Sequence, residues 1–176
     1  MKNILKRVCT GFLALATVIT TLPATTAHAA EKQYWTESAE RVGIIEQVMN
    51  DGSIKATFNE GYMKVEGETA YCIDINTAFK NGYKTRADAS TRMIADQISD
   101  VALSIEYVKQ YAEKHKELNY KQVYLLEQVV VWQRLSVHLG WQCDNVRAAY
   151  SEIPKATQEE VFAGAKAFVK ENKGRY

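Results

Sequence analysis

Hydrophobic and polar positions change rhythm twice along the chain. Residues 8–22 are apolar, softened only by Thr and Gly, and the run stops at Pro23. From Arg41 the pattern becomes short and alternating. Residues 41–48 carry β-branched side chains with partial alternation, Asn50-Asp51-Gly52-Ser53 has turn chemistry, and Ile54-Lys55-Ala56-Thr57-Phe58 alternates again. A second turn is expected at Asn59-Glu60-Gly61. Residues 62–65 and 69–73 flank a third at Glu66-Gly67-Glu68, and Asn81-Gly82 marks a fourth. Residues 42–74 therefore predict a small antiparallel meander.

From about residue 87 the period is helical. Ile94, Ile98, Val101, Ile105, Val108 and Ala112 alternate in steps of four and three, with Lys109, Glu113 and Lys116 on the other face. Asn119 punctuates, and a second helix is expected over about 121–138. Its centre, Val129-Val130-Val131-Trp132, is apolar all round and predicts burial on most sides. Gly140 ends it. Asp144 reads as the cap of a short helix that stops before Pro154. Thr157-Gln158-Glu159-Glu160 reads as a capping box ahead of Val161, Phe162, Ala165, Phe168 and Val169. The expected class is α+β: a small antiparallel β region followed by a helical subdomain of three to four helices.

Composition narrows the role. A chain of 176 residues with 47% hydrophobic and 24% charged content has room for one ordinary domain and is neither collagenous nor disordered. The net charge of +1 misleads, because the first thirty residues are a different material. Lys2, Lys6 and Arg7 precede the apolar run without any acid, and Ala27-His28-Ala29 fits a small-x-small cleavage site. Residues 1–29 are read as a secretory signal and 30–176 as the exported domain. The apolar run is shorter than the roughly 20 residues a membrane span needs, so no stable membrane insertion is expected after signal removal. Loss of three positive charges takes the net charge from +1 to −2, which speaks against a nucleic acid partner. Cys9 leaves with the signal. Cys72 and Cys143 remain in an oxidising compartment, where one disulfide between them is the plain expectation.

Two features carry chemistry. Tyr71-Cys72-Ile73-Asp74 places a thiol at the end of an expected strand. Gln128 sits inside the most apolar helix, one turn before Trp132 on the same face. A carboxamide there needs hydrogen bonds or a chemical use. Tyr71-Cys72-Ile73-Asp74 together with Gln128-Val129-Val130-Val131-Trp132 resembles the thioester domains of Gram-positive surface adhesins. Those domains have a Tyr-Cys-Ile-acid segment and, downstream on a helix, Thr-Gln-x-Ala-Ile-Trp. Here Glu127 stands in place of the Thr and Val130 in place of the Ala. The resemblance covers most of the exported chain in layout and about eight residues in motif.

The resemblance implies an internal thioester between Cys72 and Gln128, with Tyr71, Asp74, Glu127 and Trp132 shielding or supporting it. It implies a single-use covalent adhesin rather than a turnover enzyme, without metal or other cofactor. The partner would be a Lys amine on a host or matrix protein. Members of the family usually continue into stalk domains and a wall anchor. The chain carries no Leu-Pro-x-Thr-Gly signal, so it is read as the head of a longer cell-surface protein; a thioester would leave Cys143 as an odd thiol, for which a partner beyond residue 176 is one outlet. A thioester and a Cys72–Cys143 disulfide exclude each other.

Two other classes remain open at this point. A disulfide-bonded, non-covalent binding module would use Tyr34, Trp35, Tyr62, Tyr83 or Trp141 as a contact surface. A secreted cysteine hydrolase would pair Cys72 with His138, oriented by Asp74 or Asp144, but no Gly-rich oxyanion loop accompanies them. His115 falls in the charged run of residues 113–117, which reads as a solvated helix face.

Overall fold

Alternation through residues 33–65 becomes two long strands rather than several short ones. The structure, a computed structural model, describes residues 32–73, 75, 79–85, 95–139 and 145–174. The segment expected to be a signal, Ile94 of the expected helical stripe, Asp74, Gly140, Trp141, Cys143 and Asp144 lie outside them. The strands are β1 (Gln33–Val48), β2 (Ile54–Val65), β3 (Glu68–Thr69), β4 (Gly82–Thr85) and β5 (Val146–Ala148). The helices are α1 (Ala95–Lys114), α2 (Tyr120–Leu139) and α3 (Lys155–Asn172). The sheet order is β3-β2-β1-β4, and β5 pairs with the far end of β1; every described pairing is antiparallel. The α+β class, a small sheet followed by helices, stands.

The turn expected at Asn59-Glu60-Gly61 is absent, because β2 runs straight through it. The register explains why these residues look irregular. Ser38 pairs with Met63, Arg41 with Gly61 and Gly43 with Glu60, so β1 carries extra residues on each side of Arg41. These are β-bulges, which bend a strand without ending it. Gly61 permits the bend: a Cβ there would lie 1.9 Å from Ser38 Oγ.

Residues 70–73 are not a strand either. Their backbone lies along α2, where side chains answer its hydrogen bonds. Nor is there a short helix before Pro154 over residues 146–148. Those residues form β5, because the edge of β1 at Ile45–Gln47 offers a ladder, and the ladder buries Val146 and Ala148. Arg147, between them, meets Glu46 across the strands at 2.9 Å.

The helices follow the predicted periods with one correction. Val101, Ile105 and Val108 of α1 are buried as the stripe requires. Asn119 caps α2: its side-chain oxygen accepts from the Lys121 and Gln122 N–H groups, and its own N–H donates in return to the Gln122 side-chain oxygen. That reciprocal pair is a capping box. The box expected at Thr157 is not one, since α3 begins earlier, behind Pro154 and with no side-chain cap. Gln158 instead turns inward and donates to the Ala148 and Ile153 carbonyls.

Burial on α2 is continuous from Tyr124 to Trp132. One side of α2 lies over β1, β2 and β5, and α1 packs against both α2 and α3. Gly43 lets α2 come close, since a Cβ there would meet Leu125 Cδ1 at 2.5 Å. Among the described residues no helix is long and apolar enough to cross a membrane.

Candidate functional site

A buried carboxamide must spend its donor and its acceptor, and Gln128, with 0% of its surface exposed, spends both on one residue. Its Oε1 accepts from the Cys72 backbone N–H at 2.8 Å, and its Nε2 donates to the Cys72 carbonyl at 2.8 Å. One turn earlier on α2, Tyr124 donates its hydroxyl to the Ala70 carbonyl at 2.9 Å. The segment before Asp74 is thus tied to the helix by two side chains at i and i+4, which share a face. The clamp holds the Gln128 amide carbon against the residue that carries the thiol.

The neighbouring pair is joined as well. Tyr71 donates to Glu127 Oε2 at 2.9 Å. Its ring stacks on Tyr124, with centroids 5.5 Å apart and planes 16° from parallel. Glu127 is 5% exposed. Burial pushes its carboxyl up to about 7, against the opposing pull of Lys109 and of the Tyr71 bond. The Tyr71 hydroxyl is pushed up in turn, first by burial and then by the Glu127 charge. Consecutive residues of the extended segment therefore meet consecutive residues of the helix: Tyr71 with Glu127, Cys72 with Gln128.

Trp132 packs edge-on against Phe58 of β2, with centroids 5.9 Å apart at 68°. Its indole N–H is buried with no acceptor among the described residues. Cys72, Trp132, Phe58, Glu60, Ile75 and Lys80 are among the residues lining one cleft of about 930 Å³. Glu60 was hidden in sequence by the expected turn. It is 7% exposed, and burial alone pushes its carboxyl up to about 7. The signal for it was present as strand alternation, Phe58-x-Glu60-x-Tyr62, and that for Tyr124 as the spacing of four in Tyr124, Gln128 and Trp132.

The other candidates separate from this centre. Tyr62 packs on Tyr124, centroids 4.7 Å apart, and so belongs to the wall of the site rather than to an outer contact surface. Trp35 and Tyr83 form an exposed edge-to-face pair across β1 and β4 at 5.2 Å. His138 falls within α2, but its side chain, Asp74, Asp144, Trp141 and Cys143 lie outside the described residues, and with them the hydrolase constellation and the Cys72–Cys143 bridge. His115 Nδ1 lies 2.9 Å from Glu117 and the ring stacks on Tyr111. Among the described residues no three His, Cys, Asp or Glu side chains cluster as metal ligands.

Chemically, the clamp sets a carboxamide against the backbone of a residue that carries a thiol. The Cys72 N–H points at Gln128 Oε1, the atom on which negative charge would develop if a nucleophile added to the carbonyl. Comparison with protein-family models, with curated proteins and with solved structures finds no match for this chain.

Proposed function

We propose that the chain is the exported head of a surface adhesin that captures amines covalently through a Cys72–Gln128 thioester. The single observation that carries this reading is the two-point clamp, which presents the Gln128 carboxamide to the residue bearing the thiol. In the forming step Sγ attacks Cδ, the C–N bond breaks, and the nitrogen leaves as ammonia with the thiol proton. Proximity supplies most of the help that an unreactive amide needs. The Cys72 N–H stabilises the developing oxyanion. Trp132, Phe58 and Tyr71 keep bulk water from the acyl group. A Lys amine of a host or matrix protein then attacks the same carbon, leaving an amide on Gln128 and a thiol on Cys72. One capture consumes the site, so the protein is a covalent binder and not a turnover enzyme. No cofactor or metal enters.

The clamp by itself also satisfies a buried Gln, which favours a second reading: a purely structural amide in a non-covalent module. Intact-mass measurement separates the two. The thioester reading expects the mature protein to be lighter by one ammonia and to add methylamine. Cys72→Ala, which keeps the backbone clamp, should show neither. Full mass without a methylamine adduct sinks the covalent reading, and loss of two hydrogens reversed by reductant indicates the Cys72–Cys143 disulfide.

A further inference from the structure

The position of Glu60 follows from the match between β2 and α2. Phe58 lies against Trp132 and Tyr62 against Tyr124. Four residues of strand span about 13 Å and eight of helix about 12 Å, so the two elements keep step between these contacts. Glu60 is midway on the strand and Gln128 midway on the helix. Register puts Glu60 on the same face: it pairs with Gly43 as Phe58 pairs with Ile45, which is fully buried. Gly43 offers no side chain beside it. Among the described residues no hydrogen bond or ion pair engages the Glu60 carboxyl, and it lines the same cleft as Cys72 and Trp132. Its oxygens are not among the sealed partnerless atoms, so the carboxyl opens on the cleft, and a largely buried carboxyl there is costly unless its position is used.

We propose that Glu60 is the base of the capture step: it receives the proton of a primary ammonium entering the cleft, making the site selective for cationic alkylamines. This rests on the thioester reading above. Glu60 as carboxylate takes one proton from R–NH3+. The neutral amine adds its lone pair to Gln128 Cδ, and the C–S bond breaks with its electron pair on sulfur. The nitrogen gives its second proton to the thiolate, leaving R–NH–CO on Gln128 and a thiol on Cys72. Glu60 then releases its proton to solvent, so one H+ is produced per capture. The titratable groups around it are Tyr124 of α2, whose hydroxyl feels the Glu60 charge, and Cys72 and the exposed Lys80 of the cleft. Arg41 of β1 is exposed and pairs with the neighbouring Gly61. Tyr124 is held protonated by burial, and Glu127 is engaged by Tyr71 away from the cleft lining, so Glu60 is the carboxyl that the cleft presents among the described residues.

The test compares two nucleophiles on the full exported chain by intact mass. Methylamine enters as a cation, whereas hydroxylamine is already neutral at neutral pH. Glu60→Gln should form the thioester, slow methylamine capture by about a hundredfold or more, and leave hydroxylamine capture within about threefold. Glu60→Asp should recover part of the methylamine rate. The wild type carries the same test without a variant. Its methylamine rate should rise to a plateau near pH 7, where Glu60 ionises. Capture by free amine alone would climb about tenfold per pH unit with no break. Equal effects on both nucleophiles, or an unbroken climb, overturn the role of Glu60 while the thioester stands. Wild-type protein of full mass overturns both.

Discussion

Gln128 has its amide engaged at both ends by Cys72, and the energy of that arrangement is measurable. Removing it leaves a buried N–H and a buried C=O without partners, each worth about 1–3 kcal/mol. In the Cys72→Ala background, which keeps both backbone groups paired and cannot form the thioester, adding Gln128→Ala should therefore lower unfolding stability by about 3 kcal/mol in urea titration. No further loss in that background would mean that the clamp is not the main contact. The Tyr71–Glu127 pair beside it gives a physical use to a residue that departs from the adhesin motif. A Glu at position 127 finds a hydroxyl donor in Tyr71, where a Thr would not reach as far.

At the scale of elements, the close approach of α2 to β1 depends on Gly43. A methyl group there would sit 2.5 Å from Leu125 Cδ1 and 3.1 Å from Glu152 Cδ. Leu125 is fully buried and cannot swing into solvent. Gly43→Ala should therefore destabilise by about 1–3 kcal/mol through overpacking, read as a fall in the thermal midpoint. An unchanged midpoint would show that the helix can lift without loss. Such a lift would also disturb the pairing of Phe58 with Trp132 and Tyr62 with Tyr124. The bulges around Arg41 serve the same fit. They let a long strand bend while Phe58, Glu60 and Tyr62 all stay turned to the helix.

For the whole molecule, two buried carboxyls set the pH dependence of stability. Glu60 and Glu127 are raised from 4.5 to about 7 in the folded state. Between those values the native chain holds protons that the unfolded chain has released, so stability falls as pH rises through the window. The loss is on the order of 3 kcal/mol per group and is complete above the folded pKa. The carboxylates held low, Glu40, Asp51 and Glu117, are exposed and act only toward the acid side of the window. The thermal midpoint should be higher near pH 5 than near pH 8, and Glu60→Gln with Glu127→Gln should flatten the difference. A midpoint that rises with pH over this range would contradict the burial of both groups.

Local pattern was enough for the α+β class, for α1 and α2 to within a few residues, and for singling out Cys72, Gln128, Tyr71 and Trp132. Periodicity and residue chemistry are local properties, and these features need nothing else. The run Asn59-Glu60-Gly61 shows where local reading stops. By composition it is a turn. It is a strand because β1 bulges opposite it, a decision made by a partner distant in sequence. Residues 146–148 likewise became β5 because β1 had an edge to fill, and the chain leaves β2 after a last bond from the Ala70 N–H to the Met63 carbonyl, with Tyr124 and Gln128 taking up the Ala70 carbonyl and both backbone groups of Cys72. Only the packing of α2 on the sheet joins these choices. It pairs Cys72 with Gln128 and sets Glu60 level with them, and hydrogen bonds between segments far apart in the chain leave no periodic trace in either one.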